Sequence, residues 1–181
     1  MSKSTPYSFE ITKKPVALII LLLILGALSN NTFANPIKSD DNRFLDNGDG
    51  TITDTKTKLM WMKQDSYLHS GHWLNWMEIH DYVRQLNKEG FAHYIDWKLP
   101  TTQELITLYE PEKVNSSQVG KEMKIHTDPI FAKNGSGSLW SAEENGRYNA
   151  LGVVFNTGEV FNTNKKSRSR KATRAVRVNP N

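Results

Sequence analysis

Two Asx-Gly dipeptides stand back to back at Asn47-Gly48-Asp49-Gly50, and they oblige the chain to reverse direction there. Asn, Asp and Gly tolerate the positive φ angles that tight hairpin turns require. On either side, Arg43-Phe44-Leu45 and Thr51-Ile52-Thr53 carry the β-branched and aromatic content of strands. The segment reads as an antiparallel hairpin that opens the fold. Its acidity also suggests a calcium loop of the EF-hand kind, which needs oxygen ligands at positions 1 and 12 and Gly at position 6. With Gly50 as that glycine, position 1 falls on Leu45 and position 12 on Lys56. One side chain has no oxygen and the other is a cation, so the stretch is expected to be a turn. No metal or other cofactor is expected.

The first 34 residues read differently from the rest. Val16 to Leu28 is an unbroken apolar run preceded by Lys13 and Lys14. It is shorter than the roughly 20 residues of a membrane-spanning helix and fits the core of an export signal. Thr32-Phe33-Ala34 supplies a cleavage sequence. Residues 1–34 are therefore expected to be a signal peptide, or an N-terminal membrane anchor if uncleaved. Residues 35–42 read as a short linker and 43–178 as one domain. The protein is expected to be periplasmic, at the cell surface or secreted, with membrane contact only through an uncleaved N-terminus.

An exported chain without cysteine must draw its stability from packing, and it has no thiol for catalysis or metal binding. The first 34 residues hold Lys3, Lys13, Lys14 and Glu10, so the remainder keeps a net charge of +2 against +4 for the whole. Basic charge is concentrated instead in Lys165, Lys166, Arg168, Arg170, Lys171, Arg174 and Arg177, with no acid among them. No nucleic-acid partner is expected.

Helical spacing appears twice. Trp76, Ile79, Val83 and Leu86 recur at steps of three and four, with Asn75 placed to cap the start and Gly90 to end the helix. Thr101 and Glu104 form a capping-box pattern before Leu105, Ile106, Leu108 and Tyr109, and Pro111 stops the run. Residues 110–138 show little periodicity and are expected to be functional or mobile. Strand signals return at Ser138–Ala142, Leu151–Phe155, Glu159–Phe161 and Ala172–Val178. Strands, two helices and strands again predict a single α+β domain with antiparallel sheets.

The ordered landmarks DNGDGTITDTKTKLMW, DWKLPTTQEL, LWSAEE and TRAVRV resemble the Lcl C-terminal domain family, named after a collagen-like bacterial surface adhesin. The resemblance runs from about Arg43 to Val178. It implies a C-type-lectin-like fold and, for the founding adhesin, binding of sulfated glycosaminoglycans. A homo-oligomer, a trimer in the adhesin, is implied by analogy. Three positions depart from the family pattern: Lys58 stands for the usual Gly, Lys98 for Arg and Thr173 for Val.

Trp61, Trp97 and Trp140 sit within these landmarks beside apolar positions and are expected in the core. Trp73, in a Gly-His-Trp loop, is the aromatic expected at the surface. His69 and His72 lack a companion carboxylate motif, and Ser141 lacks a nucleophile context. The chain is not expected to be an enzyme. Glu143 and Glu144 read as a solvated turn, and Arg174 and Arg177 as partners of acidic residues. The candidate ligand-binding residues are Lys165, Lys166, Arg168, Arg170 and Lys171, expected to be largely exposed, with Arg147 and Trp73. Their chemistry suits an acidic polysaccharide or another polyanion. The alternative is a structural domain of the envelope whose basic loop meets a protein partner or anionic lipid.

Overall fold

The computed structural model describes residues 37–179; residues 1–34, read above as a signal peptide or membrane anchor, lie outside them. Among the described residues no helix is long and apolar enough to cross a membrane. The fold is mixed, with three antiparallel sheets and three α-helices.

The first sheet holds β1 (Ile37–Lys38), β2 (Phe44–Asp46), β3 (Thr51–Asp54), β4 (Leu59–Met62) and β10 (Val176–Val178), in that spatial order. Its centre is the hairpin expected from the Asx-Gly turn, with Asp46 opposite Ile52. Gly48 and Gly50 adopt φ of 79° and 91°. The acidic side chains are consumed by the turn itself. Asp46 accepts the Gly48 N–H and pairs with Lys63 at 2.5 Å, while Asp49 accepts from the Thr51 N–H and hydroxyl. Residues 37 and 38, read as linker, pair with β2 as an edge strand.

Between the sheets lie α1 (Ser66–Ser70), α2 (Trp76–Glu89) and α3 (Thr102–Ile106). The expected Thr101–Glu104 capping box forms on α3, and the Asn75 cap of α2 proves to be a capping box as well, closed by Glu78. Gly90 ends α2 in the left-handed conformation. Helix α2 buries Trp76, Ile79, Val83 and Leu86 against Met60, Met62, Trp97, Leu99 and Trp140. Helix α3 stops earlier than its apolar pattern suggested, but Leu105 and Leu108 still enter a second cluster with Phe44, Ile52, Trp61, Phe131 and Phe155. Trp61, Trp97 and Trp140 are all buried.

The segment 110–138 contains a two-stranded ladder, β5 (Ser116–Ser117) and β6 (Lys124–Ile125). Its loops are tied by the Asn115 side-chain amide, which donates to the Asp128 and Phe131 carbonyls, and by the buried Phe131 ring. The third sheet comprises β7 (Ser138–Asn145), β8 (Asn149–Val154) and β9 (Val160–Asn164). Gly152 on β8 faces the Leu139 carbonyl and the Phe161 ring so closely that a Cβ would collide with both. Glu143 and Glu144, expected in a solvated turn, belong to β7. The first accepts the N–H of Thr102 at the start of α3, and the second pairs with Lys165.

Candidate functional site

The chain between β9 and β10 is tied to the entry of α2 by its main chain. Trp76 N–H donates to the Lys165 carbonyl (2.9 Å), and Leu74 N–H donates to the Lys171 carbonyl (3.1 Å). Trp140 Nε1 donates to the Leu74 carbonyl from below. These bonds hold the Gly71–Leu74 loop beside the basic segment. Between them opens a groove of ≈ 750 Å³ lined by His72, Trp73, Leu74, Glu78, Arg168, Ser169 and Arg170.

Trp73 forms the aromatic wall. One face of its indole stacks on Tyr67 of α1, with ring centres 3.8 Å apart and planes inclined by 14°. That stack removes rotational freedom from the indole before any ligand arrives. Arg170 lies at the opposite end of the loop with φ of 49°. A non-glycine residue in this left-handed region is unfavourable by roughly 1 kcal/mol. The Ser136 hydroxyl lies 2.8 Å from both the Arg170 and the Ser138 carbonyls and shares its single proton between them, which supports this conformation. Backbone strain maintained by a buried hydroxyl fixes where the Arg170 side chain leaves the loop.

Arg168 is held by a carboxylate. Its Nε donates to Glu78 Oε2 at 2.9 Å and its Nη2 to Glu78 Oε1. The ion pair lowers the Glu78 pKa below its ordinary value, chiefly through the hydrogen bond from Arg168. The groove thus combines one fixed indole, one internally paired guanidinium and a second guanidinium in the same lining. Such a surface can stack a pyranose ring and hold a sulfate or carboxylate beside it.

The expectation that the basic run is largely exposed requires correction at two positions. Lys165 has a side chain only 13% exposed, bonded to Glu144 at 2.7 Å and lying 4.8 Å over the Trp76 ring. Lys171 is half-buried over the Trp140 and Phe161 rings, and burial lowers its pKa. Its ammonium reaches back to the Ser169 carbonyl. Both lysines therefore shape the loop and do not line the groove. Lys166, Arg168 and Arg170 are exposed as expected, but of these only the two arginines line the groove. Arg147 is exposed on the β7–β8 turn and does not line the groove either; its guanidinium lies 5.4 Å over the adjacent Tyr148 ring.

Arg177 pairs with Asp96 (2.7 Å), as its place in the closing strand suggested. Arg174 does not bond a carboxylate. It is buried and donates to the main-chain carbonyls of Met62 and Lys63, with its guanidinium over Phe131. His69 accepts or donates to the Tyr82 hydroxyl at 3.1 Å, while His72 faces the groove. The buried Ser141 hydroxyl donates to the Leu151 carbonyl.

Sequence reading did not find the cluster of Asp41, Glu110 and Asp128, whose oxygens lie within 4.8 Å of one another. Lys113 already supplies a cation there, its ammonium 2.6 to 2.7 Å from all three. The three acids come from separate loops, which no local spacing could reveal.

A model of the Lcl C-terminal domain family matches residues 50–177. The chain belongs to that family. The matched span begins at Gly50, the last residue of the hairpin turn, and covers the three described helices, the groove-forming loops and most of β10. No curated protein matches the chain.

Proposed function

We propose that this chain is an exported, non-enzymatic binding domain that recognises an acidic or sulfated glycan in the groove between Trp73 and Arg170. Membership of the Lcl C-terminal domain family fits an extracellular binding domain, and a C-type-lectin-like frame accords with the α+β architecture. The observation that carries the reading is the indole of Trp73 lining the same groove as the Arg168 and Arg170 guanidiniums. Arg170 would meet the ligand's anionic groups, Trp73 would carry a sugar ring, and Arg168 would exchange Glu78 for sulfate.

Titration of the full chain with a sulfated disaccharide and with its unsulfated counterpart tests the proposal. Saturable binding of the sulfated form, weakened by added salt, is expected. Equal binding of both forms, or of neither, would contradict it. A second reading has its own support. Lys165 and Arg168 are paired with Glu144 and Glu78, so much of the basic loop already satisfies internal carboxylates. On that reading the chain is a structural domain of the envelope, and it would bind neither saccharide.

A further inference from the structure

The β7–β8 turn carries Arg147 and Tyr148 at its tip, and Tyr148 is 65% exposed. A single exposed aromatic is ordinary on a protein surface. This one is anchored and has a guanidinium against its ring. The Lys165 N–H donates to the Tyr148 carbonyl at 2.8 Å, so the tip is fixed to the first residue of the basic loop. Lys165 in turn is bonded to Glu144 on the same hairpin and lies over Trp76 at the start of α2. The Arg147 guanidinium lies over the Tyr148 ring, and the next loop residue, Lys166, is exposed. From Lys166 the loop runs through Arg168 to Arg170, where the groove and Trp73 lie.

The tip therefore pairs an aromatic ring with a guanidinium, and its main chain is tied to the start of the loop whose far end lines the groove. We infer that Arg147 and Tyr148 form a second subsite, which takes a further sugar unit of the same acidic chain that occupies the groove. This rests on the groove reading above. The ligand class it names is a linear polyanionic saccharide of several units: Trp73 and Tyr148 each carry a ring, and Lys166 and Arg168 meet the anionic groups between them. Two linked contacts on one chain strengthen binding without any new contact at the first.

The test uses the full chain and heparin-derived oligosaccharides graded from disaccharide upward, with the Trp73→Ala, Tyr148→Ala and Tyr148→Phe variants. Affinity is expected to rise with length. Tyr148→Ala should leave the disaccharide unaffected and weaken the longest oligosaccharide roughly three- to tenfold, the scale of one lost aromatic contact. Tyr148→Phe should retain the length dependence, and Trp73→Ala should weaken every length. Wild-type affinity independent of length, or Tyr148→Ala indistinguishable from wild type, would overturn the second subsite and leave the groove standing. Failure of wild type to bind any length would overturn both. Length-independent saccharide binding together with Tyr148-dependent capture of phosphatidylglycerol vesicles would overturn the inference by assigning the tip to a bilayer.

Discussion

Glu78 holds Arg168 with the same carboxylate that caps α2. Its Oε2 accepts the Asn75 N–H at 2.8 Å and the Arg168 Nε–H at 2.9 Å. One side chain therefore closes the helix start and occupies a guanidinium that faces the groove. The Glu78 pKa lies below its ordinary value, so the carboxylate stays ionised at neutral pH. Whatever stability the pair contributes is present above the ordinary glutamate range and is lost as pH falls through the lowered value.

Substituting Glu78→Gln should separate the two roles. Glutamine can still close a capping box, but it no longer matches the guanidinium's charge. The melting temperature is expected to move little, while elution from a sulfated matrix shifts to higher salt. Elution at lower salt would show that Glu78 helps to present Arg168 and does not compete for it.

Lys58, in the β3–β4 turn, has φ of 60° where the family pattern has glycine. Its side chain is exposed, so its removal loses little packing. Lys58→Gly should stabilise the fold by about 1 kcal/mol and raise the melting temperature by about 3 °C. An unchanged or lower melting temperature would mean that the extra flexibility of the unfolded chain offsets the relieved strain.

Lys113 neutralises Asp41, Glu110 and the nearly buried Asp128. Burial pulls its pKa down, but the bonds from Asp128, Asp41 and Glu110 outweigh this and raise it. Asp41 is held well below its ordinary value of 3.8, chiefly by the hydrogen bond from Lys113. Its contribution to stability is thus complete above that value and lost as pH falls through the lowered one. Lys113→Met leaves Asp41 and the buried Asp128 without a cation, while Glu110 keeps Arg43 at 3.1 Å, and should cost about 3 kcal/mol at pH 7. The variant should regain stability on acidification towards about pH 4, as the crowded carboxylates take up protons. Thermal melts at the two pH values check the difference, since the Lys113 pairs give wild type no change across this window while the variant should gain stability on acidification. Parallel slopes for variant and wild type would contradict the pairing.

The Asp46–Asp54 turn should fold without calcium, since Lys63, Gly48 and Thr51 already engage its carboxylates. Melts in calcium and in chelator are expected to coincide. A rise of several degrees with calcium would contradict this account of the loop.

Local signals were legible where the physics is local. The Asx-Gly turn, the Asn75 cap, the Thr101–Glu104 capping box, the α2 stripe and the three core tryptophans follow from residues within a few positions of one another. The basic segment was legible in charge but not in exposure. Lys165 is covered by Glu144 and Trp76, and Lys171 by Trp140 and Phe161, partners brought in from other elements. Arg174 was expected beside an acid because of its place in the closing strand, yet it is buried and main-chain carbonyls compensate its charge. Helix α1 has only five residues, too few for a period to show. The groove was half visible: Trp73, Arg168 and Arg170 were singled out separately. Their meeting depends on the Leu74 to Lys171 bond and on the conformation of Arg170.

The most direct test of the groove is retention of the full chain on a sulfated-glycan column across a salt gradient. Trp73→Ala and Arg170→Ala would be compared with Arg84→Ala, which removes the same charge as Arg170→Ala from an exposed site on α2. The account predicts late elution of wild type and Arg84→Ala, and markedly earlier elution of both groove variants. Equal retention of all four proteins, or equal losses in Arg84→Ala and Arg170→Ala with none in Trp73→Ala, would reduce the interaction to net charge and contradict a binding groove.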